Sequence, residues 1–111
     1  MEENTMNKTR IAVVSTDVIY VDEHFGKAKR FLIYDLKGEI DFIEERPTEN
    51  LSVNDPNHEF DPDKFNRISS LIADCKKIYM SRIGEVPAAK LKEMGIEPIV
   101  FNGLIKEISG Q

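Results

Sequence analysis

The hydrophobic and polar positions in the N-terminal half form short apolar runs separated by polar segments. Apolar runs at 11–14 and 31–34 predict buried β-strands over 10–15 and 30–36. Residues 40–44 alternate apolar and polar side chains, which predicts a third strand with one solvated face, near an edge of the sheet. Lys37-Gly38 lies between the second and third strands and predicts a hairpin turn.

The C-terminal half changes to a helical period. Asp61-Pro62 predicts a helix start, because aspartate caps N–H groups and proline fits the first helical position. Apolar positions from Phe65 to Cys75 then follow helical spacing. Strands are predicted at 77–81 and 98–101, with a helix between them that opens at Pro87 and a short last helix at 104–108.

The predicted order β-β-β-α-β-α-β-α ends in a βαβ unit, which requires parallel strands. The hairpin adds an antiparallel member. The expected fold class is therefore α/β, with a mixed five-stranded sheet and helices on both faces. Parallel strands ending at one edge would bring together the loops at 16–27, 82–85 and 102–103.

Length and composition indicate one domain, expected at 10–111 behind a frayed N-terminus at 1–9. The net charge of -5 argues against a nucleic-acid partner, which needs clustered Lys and Arg. No apolar stretch approaches the roughly 20 residues of a membrane span. The single cysteine excludes an internal disulfide, and the polar N-terminus lacks signal-peptide features, so we expect a cytoplasmic location.

The segment 39–63 is strongly acidic, with nine Asp or Glu residues and one basic residue, Arg46. From Pro47 to Pro62 it is also rich in Asn, Pro, Asp and Ser. This composition predicts a solvated loop, mobile over 47–60 in the free protein. His58 lies in this loop and either stays at the surface or contributes its imidazole to a bound group.

His24, one of only two histidines, lies in the polar loop after the first strand. Loops at the carboxyl ends of strands are where α/β proteins usually bind ligands. The nearby Gly26 permits close approach of the backbone to a bound group. An imidazole at this position binds a metal, transfers a proton or only caps the loop.

Arg82 and Gly84 precede a predicted helix start, where free N–H groups and the helix dipole favour anions. Cys75 is either a soft metal ligand or, because it lies on an apolar helical stripe, a small buried hydrophobe. Asp17 falls past the first strand, which argues against the paired carboxylates of a two-metal nuclease. Since no catalytic triad is present, nothing in the sequence predicts turnover.

A family resemblance covers nearly the whole chain, from about Arg10 to Ile108. The segments 11–15, Val21-Asp22-Glu23-His24-Phe25-Gly26-Lys27-Ala28 and 31–35 resemble the opening of the dinitrogenase iron–molybdenum cofactor carrier family. Asp74-Cys75, 84–91 and Gly95-Ile96-Glu97-Pro98 are similar to its second half. The resemblance implies a ribonuclease-H-like three-layer fold. It also implies a nitrogenase accessory protein that stores or hands on an iron–sulfur-based metallocluster of the iron–molybdenum-cofactor type.

The resemblance assigns cluster binding to His24 within the element His24-Phe25-Gly26. Arg82 and Gly84 are expected beside it, and Cys75 is a second possible metal ligand. The family often has glycine at the position of Val18, so this loop is expected to be stiffer or differently turned.

Because such clusters are anionic, Arg82, Lys27 and loop N–H groups are expected to supply the positive donors. The expected partners are the cluster and a protein that donates or accepts it. The alternative is a regulatory or protein-interaction module of the same fold that binds a partner through 39–63 and holds no metal.

Overall fold

The computed structural model describes residues 8–51 and 60–108. The elements in chain order are β1 (Thr9–Val13), β2 (Tyr20–Val21), a 3-10 helix (Phe25–Lys27), β3 (Arg30–Lys37), β4 (Glu39–Pro47), α1 (Pro62–Ser70), β5 (Lys77–Met80), α2 (Glu85–Glu93), β6 (Glu97–Val100), β7 (Gly103–Leu104) and a second 3-10 helix (Ile105–Glu107). Within these ranges no helix is long and apolar enough to cross a membrane.

Five strands form one mixed sheet in the order β4-β3-β1-β5-β6. The central strand, β1, runs antiparallel to β3, with Ala12 opposite Ile33, and parallel to β5, with Ala12 beside Ile78. β5 and β6 are also parallel, as the βαβ unit requires. The predicted α/β fold class with a mixed five-stranded sheet is therefore confirmed.

The predicted hairpin joins β3 to β4. Gly38 at the turn has φ +82°, in the left-handed region that glycine adopts without steric cost. A β-bulge interrupts the register between Ile33 and Tyr34, so β4 bends midway. β4 lies at the end of the sheet and is mostly exposed, which agrees with the alternation that predicted an edge strand.

α1 begins as predicted, with the Asp61 carboxylate accepting a hydrogen bond from the Lys64 N–H at 3.1 Å. The helix predicted from the apolar spacing through Cys75 is too long. α1 ends at Ser70, and turns follow it. The Arg46 guanidinium donates to the Leu71 carbonyl at 2.7 Å. A tertiary contact thus satisfies a carbonyl at the helix end.

The two faces of the sheet are covered differently. α1 and α2 both pack on one face, through Phe65, Ile68 and Leu91. The opposite face is covered by the short helix Ile105–Glu107 and by the β2–β7 ribbon, with Ile105 and Val21 packed on it. The helix predicted at 104–108 is therefore a single 3-10 turn, and both α-helices lie on the other face.

Two expectations concern segments that are partly outside the described residues. Residues 52–59, which include His58 and most of the loop predicted to be mobile, lie outside them, as do 1–7 of the predicted frayed N-terminus. Thr9, assigned to that N-terminal segment, is the first residue of β1 and pairs with Leu36 of β3.

An ion-pair network joins the first strand to the end of α1 and to β4. Asp35, only 4% exposed, accepts from Arg10 Nε at 2.9 Å and from Arg10 Nη2 at 3.2 Å. Asp74 accepts from Arg10 at 3.3 Å and from Arg46 at 2.8 Å. The Arg10 guanidinium hydrogen-bonded to Asp35 keeps the pKa of this carboxyl below its usual range.

We predict that Asp35→Asn lowers the free energy of unfolding at pH 7 by about 2–3 kcal/mol, because Arg10 loses a bidentate partner. A carboxylate whose pKa is lowered by folding stabilises above its unfolded pKa, about 3.9, and this contribution is lost as pH falls through the folded pKa. The parent should therefore lose stability more steeply below about pH 4 than the variant does.

Urea unfolding at several pH values measures both effects. Asp41→Asn is the matched control, because Asp41 lies opposite Asp35 in β4 and is exposed. Its stability should equal or slightly exceed that of the parent, since a like charge across the strands is removed. Equal losses in the two variants would contradict the assigned role of Asp35.

Candidate functional site

Three loops meet beyond the carboxyl ends of β1, β5 and β6. The Ser81 N–H donates to the Glu23 carbonyl at 3.0 Å, and the Phe25 N–H donates to the Arg82 carbonyl at 2.9 Å. His24 and Arg82 thereby form a parallel β-bridge. In addition, Tyr20 pairs with Leu104 and Val21 with Gly103. This arrangement agrees with the expectation that the loops at 16–27, 82–85 and 102–103 share one edge.

Hydrogen bonds fix the backbone of His24 at both its N–H and its carbonyl group. Its N–H donates to Glu23 Oε1 at 2.8 Å, and its carbonyl accepts from the Lys27 N–H at 3.0 Å. The side chain is half-buried, so the imidazole is partly accessible to an added group.

Phe25 anchors this segment in the core. Its side chain is 1% exposed, and its ring lies 6.2 Å from that of Phe31 and 6.3 Å from that of Phe65. Gly26 lies within the 3-10 helix that begins at Phe25. Because its ring is buried in the core, Phe25 anchors the neighbouring residue, His24.

The loop between β1 and β2 is held by its own carboxylates. Asp17 accepts from the N–H groups of Ile19 and Tyr20, both at 2.9 Å. Both hydrogen bonds keep the pKa of Asp17 below its usual range, and the one from Tyr20 contributes most. Asp22 accepts from the N–H of Thr16 at 2.8 Å. Several loop N–H groups expected to serve an anionic ligand are therefore already occupied.

Arg82 and the first turn of α2 supply the remaining positive character. The Arg82 side chain is exposed and has no ion-pair partner among the residues that the structure describes. Gly84 is the N-cap of α2 and gives no side-chain hydrogen bond to the first turn. The first N–H groups of a helix have no partner within it, so this turn retains donors. Glu85 in the same turn reduces the local potential.

Cys75 is not brought to this site. It lies before the amino end of β5, whereas His24 and Arg82 lie beyond the carboxyl end. The four residues of β5, at about 3.3 Å each, put more than about 10 Å between the two positions. Cys75 is buried in the core cluster with Phe65, and this burial raises the pKa of its thiol to about 12.

Within residues 8–51 and 60–108, no group of three His, Cys, Asp or Glu side chains is arranged to hold a metal ion. His24 is therefore a single candidate ligand at an edge that also presents Arg82 and Lys27.

The chain is a small α/β domain with a mixed five-stranded sheet, and His24 and Arg82 lie beyond the carboxyl ends of its parallel strands. The chain matches the family described as "Dinitrogenase iron-molybdenum cofactor" over residues 7–109, and it belongs to that family. The resemblance seen in the sequence is confirmed.

Curated relatives include larger proteins. The chain is 36% identical over 93 residues to the FeMo cofactor biosynthesis protein NifB of Klebsiella pneumoniae, covering 81% of this chain but 20% of NifB. It is 28% identical over 92 residues to protein NifX of Sinorhizobium fredii, covering 81% of this chain and 58% of NifX. The chain thus spans about a fifth of NifB and over half of NifX.

Solved structures support the fold. The crystal structure of PH0822 has a TM-score of 0.59 at 23% identity, covering 88% of this chain and 84% of that one. The NMR structure of a Thermotoga protein described as a candidate NifB has a TM-score of 0.52 at 23% identity, covering 89% and 82%.

Sequence reasoning missed the β2–β7 ribbon and the backbone conformation at Val18. Val18 has φ +59° and is half-exposed, although β-branched residues strongly disfavour positive φ. Its N–H donates to Ser15 Oγ at 3.0 Å, so the hydrogen bonds of the loop enforce this conformation. The available signal in the sequence was that valine stands at a position where the family often has glycine.

We predict that Val18→Asn raises the free energy of unfolding by about 1 kcal/mol, because asparagine adopts positive φ at lower cost than a β-branched residue. Chemical denaturation measures the change. Ile19→Asn is the matched control, since Ile19 is similarly exposed but does not have positive φ. A gain in the control as large as that in Val18→Asn would show that added polarity, not relieved strain, is responsible.

We also predict that Cys75→Ser lowers the free energy of unfolding by about 1–2 kcal/mol, because it places a hydroxyl group in an apolar cluster. Thermal unfolding measures the loss. Cys75→Ala separates the hydroxyl effect from the loss of volume, and it should be the less destabilising change. A Cys75→Ser variant that kept full stability would contradict the structural role.

Proposed function

We propose that this protein is a non-catalytic carrier that binds an iron–sulfur-type cluster as cargo, with the His24 imidazole as its main protein ligand. The observation that carries the proposal is the β-bridge between His24 and Arg82. It brings the backbone of His24 beside that of Arg82, whose guanidinium has no ion-pair partner among the described residues. The family to which the chain belongs supports a role related to the iron–molybdenum cofactor.

The proposed roles follow from the chemistry of each group. Neutral imidazole is a good ligand for iron, while Arg82 and Lys27 provide charge complementary to an anionic cluster. The first turn of α2, at Gly84, adds backbone N–H donors. Phe25 and Gly26 hold the His24 segment in place. Cys75 is not included, because β5 separates it from this edge.

One protein ligand gives weak retention, which suits a protein that passes its cargo on. The NifB relatives are named for FeMo cofactor biosynthesis, and on this basis we propose a second protein that donates or accepts the cluster.

We predict that His24→Ala removes most cluster retention while changing stability by about 0.5 kcal/mol or less. An iron–sulfur cluster is assembled anaerobically from ferrous iron and sulfide, with dithiothreitol supplying the other iron ligands. Iron content and visible absorbance are measured after desalting. His58→Ala, which changes the only other histidine, is the matched control and should retain cluster like the parent.

In the same assay, Arg82→Ala should weaken retention about tenfold, as expected for loss of a charge-assisted contact. Arg67→Ala, which removes an exposed arginine paired with Glu49, should have no effect. Equal retention by His24→Ala and the parent would contradict the ligand assignment. If the parent takes up no iron, the metal-free interaction module becomes the better interpretation.

A further inference from the structure

We propose that the outer edge of β4 is a docking site for an extended segment of a partner protein in which basic and apolar side chains alternate. This inference does not depend on the proposed cargo. It rests on an unpaired strand, a separation of charge between its two faces and an apolar groove beside it.

β4 presents a long unpaired edge. It is nine residues long, pairs only with β3 within the described part of the chain, and occupies the end of the sheet. The outward N–H and C=O groups of such a strand can pair with another extended chain. The opposite edge, β6, has four residues and contains Pro98, which cannot donate a ladder hydrogen bond.

The two faces of β4 differ in chemistry over its first four residues, before the β-bulge. Ile40 and Phe42 lie opposite Leu36 and Tyr34, on the sheet face without α-helices. Glu39 and Asp41 alternate with them and so lie on the other face, with no ion-pair partner among the described residues. An added strand with alternating lysine and valine would place its positive and apolar side chains against matching neighbours.

An apolar groove continues from this edge. It has a volume of about 370 Å³ and is lined by residues that include Val18, Ile19, Ile40 and Leu104. Phe42 is 56% exposed, and its ring packs edge-on against Tyr34 at 5.5 Å. A strand edge that only had to avoid pairing would not present an exposed aromatic ring beside an open groove.

The negative charge of β4 indicates which kind of chain can pair with its edge. Antiparallel pairing of β4 with a second copy would bring two sets of acidic residues together, including Glu39, Asp41 and Glu44, and like charges across strands are destabilising. A basic segment reverses the sign of this interaction. The edge therefore favours a different, positively charged chain over self-association.

We predict that a fluorescent nine-residue peptide of alternating valine and lysine binds the parent protein, whereas a valine–glutamate peptide does not. Fluorescence anisotropy measures affinity, and hydrogen exchange should show new amide protection at 39–45. The double variant Asp41→Lys with Phe42→Ser should weaken binding at least about tenfold, because it removes one charged and one apolar cross-strand contact.

Glu97→Lys with Val100→Ser is the matched control, because it makes the same kinds of change on exposed residues of the other edge strand. It should bind within about twofold of the parent, a difference of under 0.5 kcal/mol. Equal weakening in both double variants would reveal general attraction to an acidic protein and overturn the proposal.

Two further outcomes would also overturn it. Absence of binding at millimolar peptide would mean that the acidic residues only protect the edge from pairing. A dimer in sedimentation equilibrium that Phe42→Ser dissociates would assign the edge to a second copy. Because none of these measurements uses a metal, failure here is distinguishable from failure of the carrier function.

Discussion

Two backbone hydrogen bonds, from Ser81 to Glu23 and from Phe25 to Arg82, hold the first loop against the end of β5. They extend the parallel pairing of the central sheet by one bridge, so the loop takes its position from the most buried part of the fold. Phe25 secures the bridge from the core side. The backbones of His24 and Arg82 are neighbours because these bonds form, so the position of both residues is set by the sheet rather than by a free loop.

Much of the fold could be predicted because its signals are local. The Asp61 cap, the Gly38 turn and the alternation in β4 each depend on neighbouring residues, and each lies where the pattern indicated. The end of α1 could not be placed, because the apolar spacing continues past Ser70. The contact that satisfies the helix end comes from Arg46, on a strand distant in sequence.

The candidate site could be predicted only in part, because it too depends on contacts between residues distant in sequence. The position of His24 after the first strand, together with the family resemblance, drew attention to this residue. Its pairing with Arg82 depends on chain crossovers that no short pattern encodes. The β2–β7 ribbon has two residues in each strand, too few for any periodicity, and it joins segments more than eighty positions apart. Val18 adopts positive φ because Ser15 and Asp17 fix the turn around it.

The placement of charge explains how an acidic chain can keep unpaired cationic side chains near His24 within its described part. In the first loop, the carboxylates of Asp17, Asp22 and Glu23 each accept backbone N–H groups, so their negative charge is partly offset by local dipoles. Other carboxylates, such as Asp35 and Asp74, are paired with arginines at the far end of the sheet. Arg82 and Lys27 have no ion-pair partner among the described residues, and both lie close to His24 in the chain or in the backbone pairing. Glu39 and Asp41 lie at the hairpin end of β4, whereas the other end of this strand, at Pro47, pairs with Arg30 next to the first loop. The acidic residues of the proposed docking edge and the cations beside His24 are therefore at opposite ends of the β3–β4 hairpin.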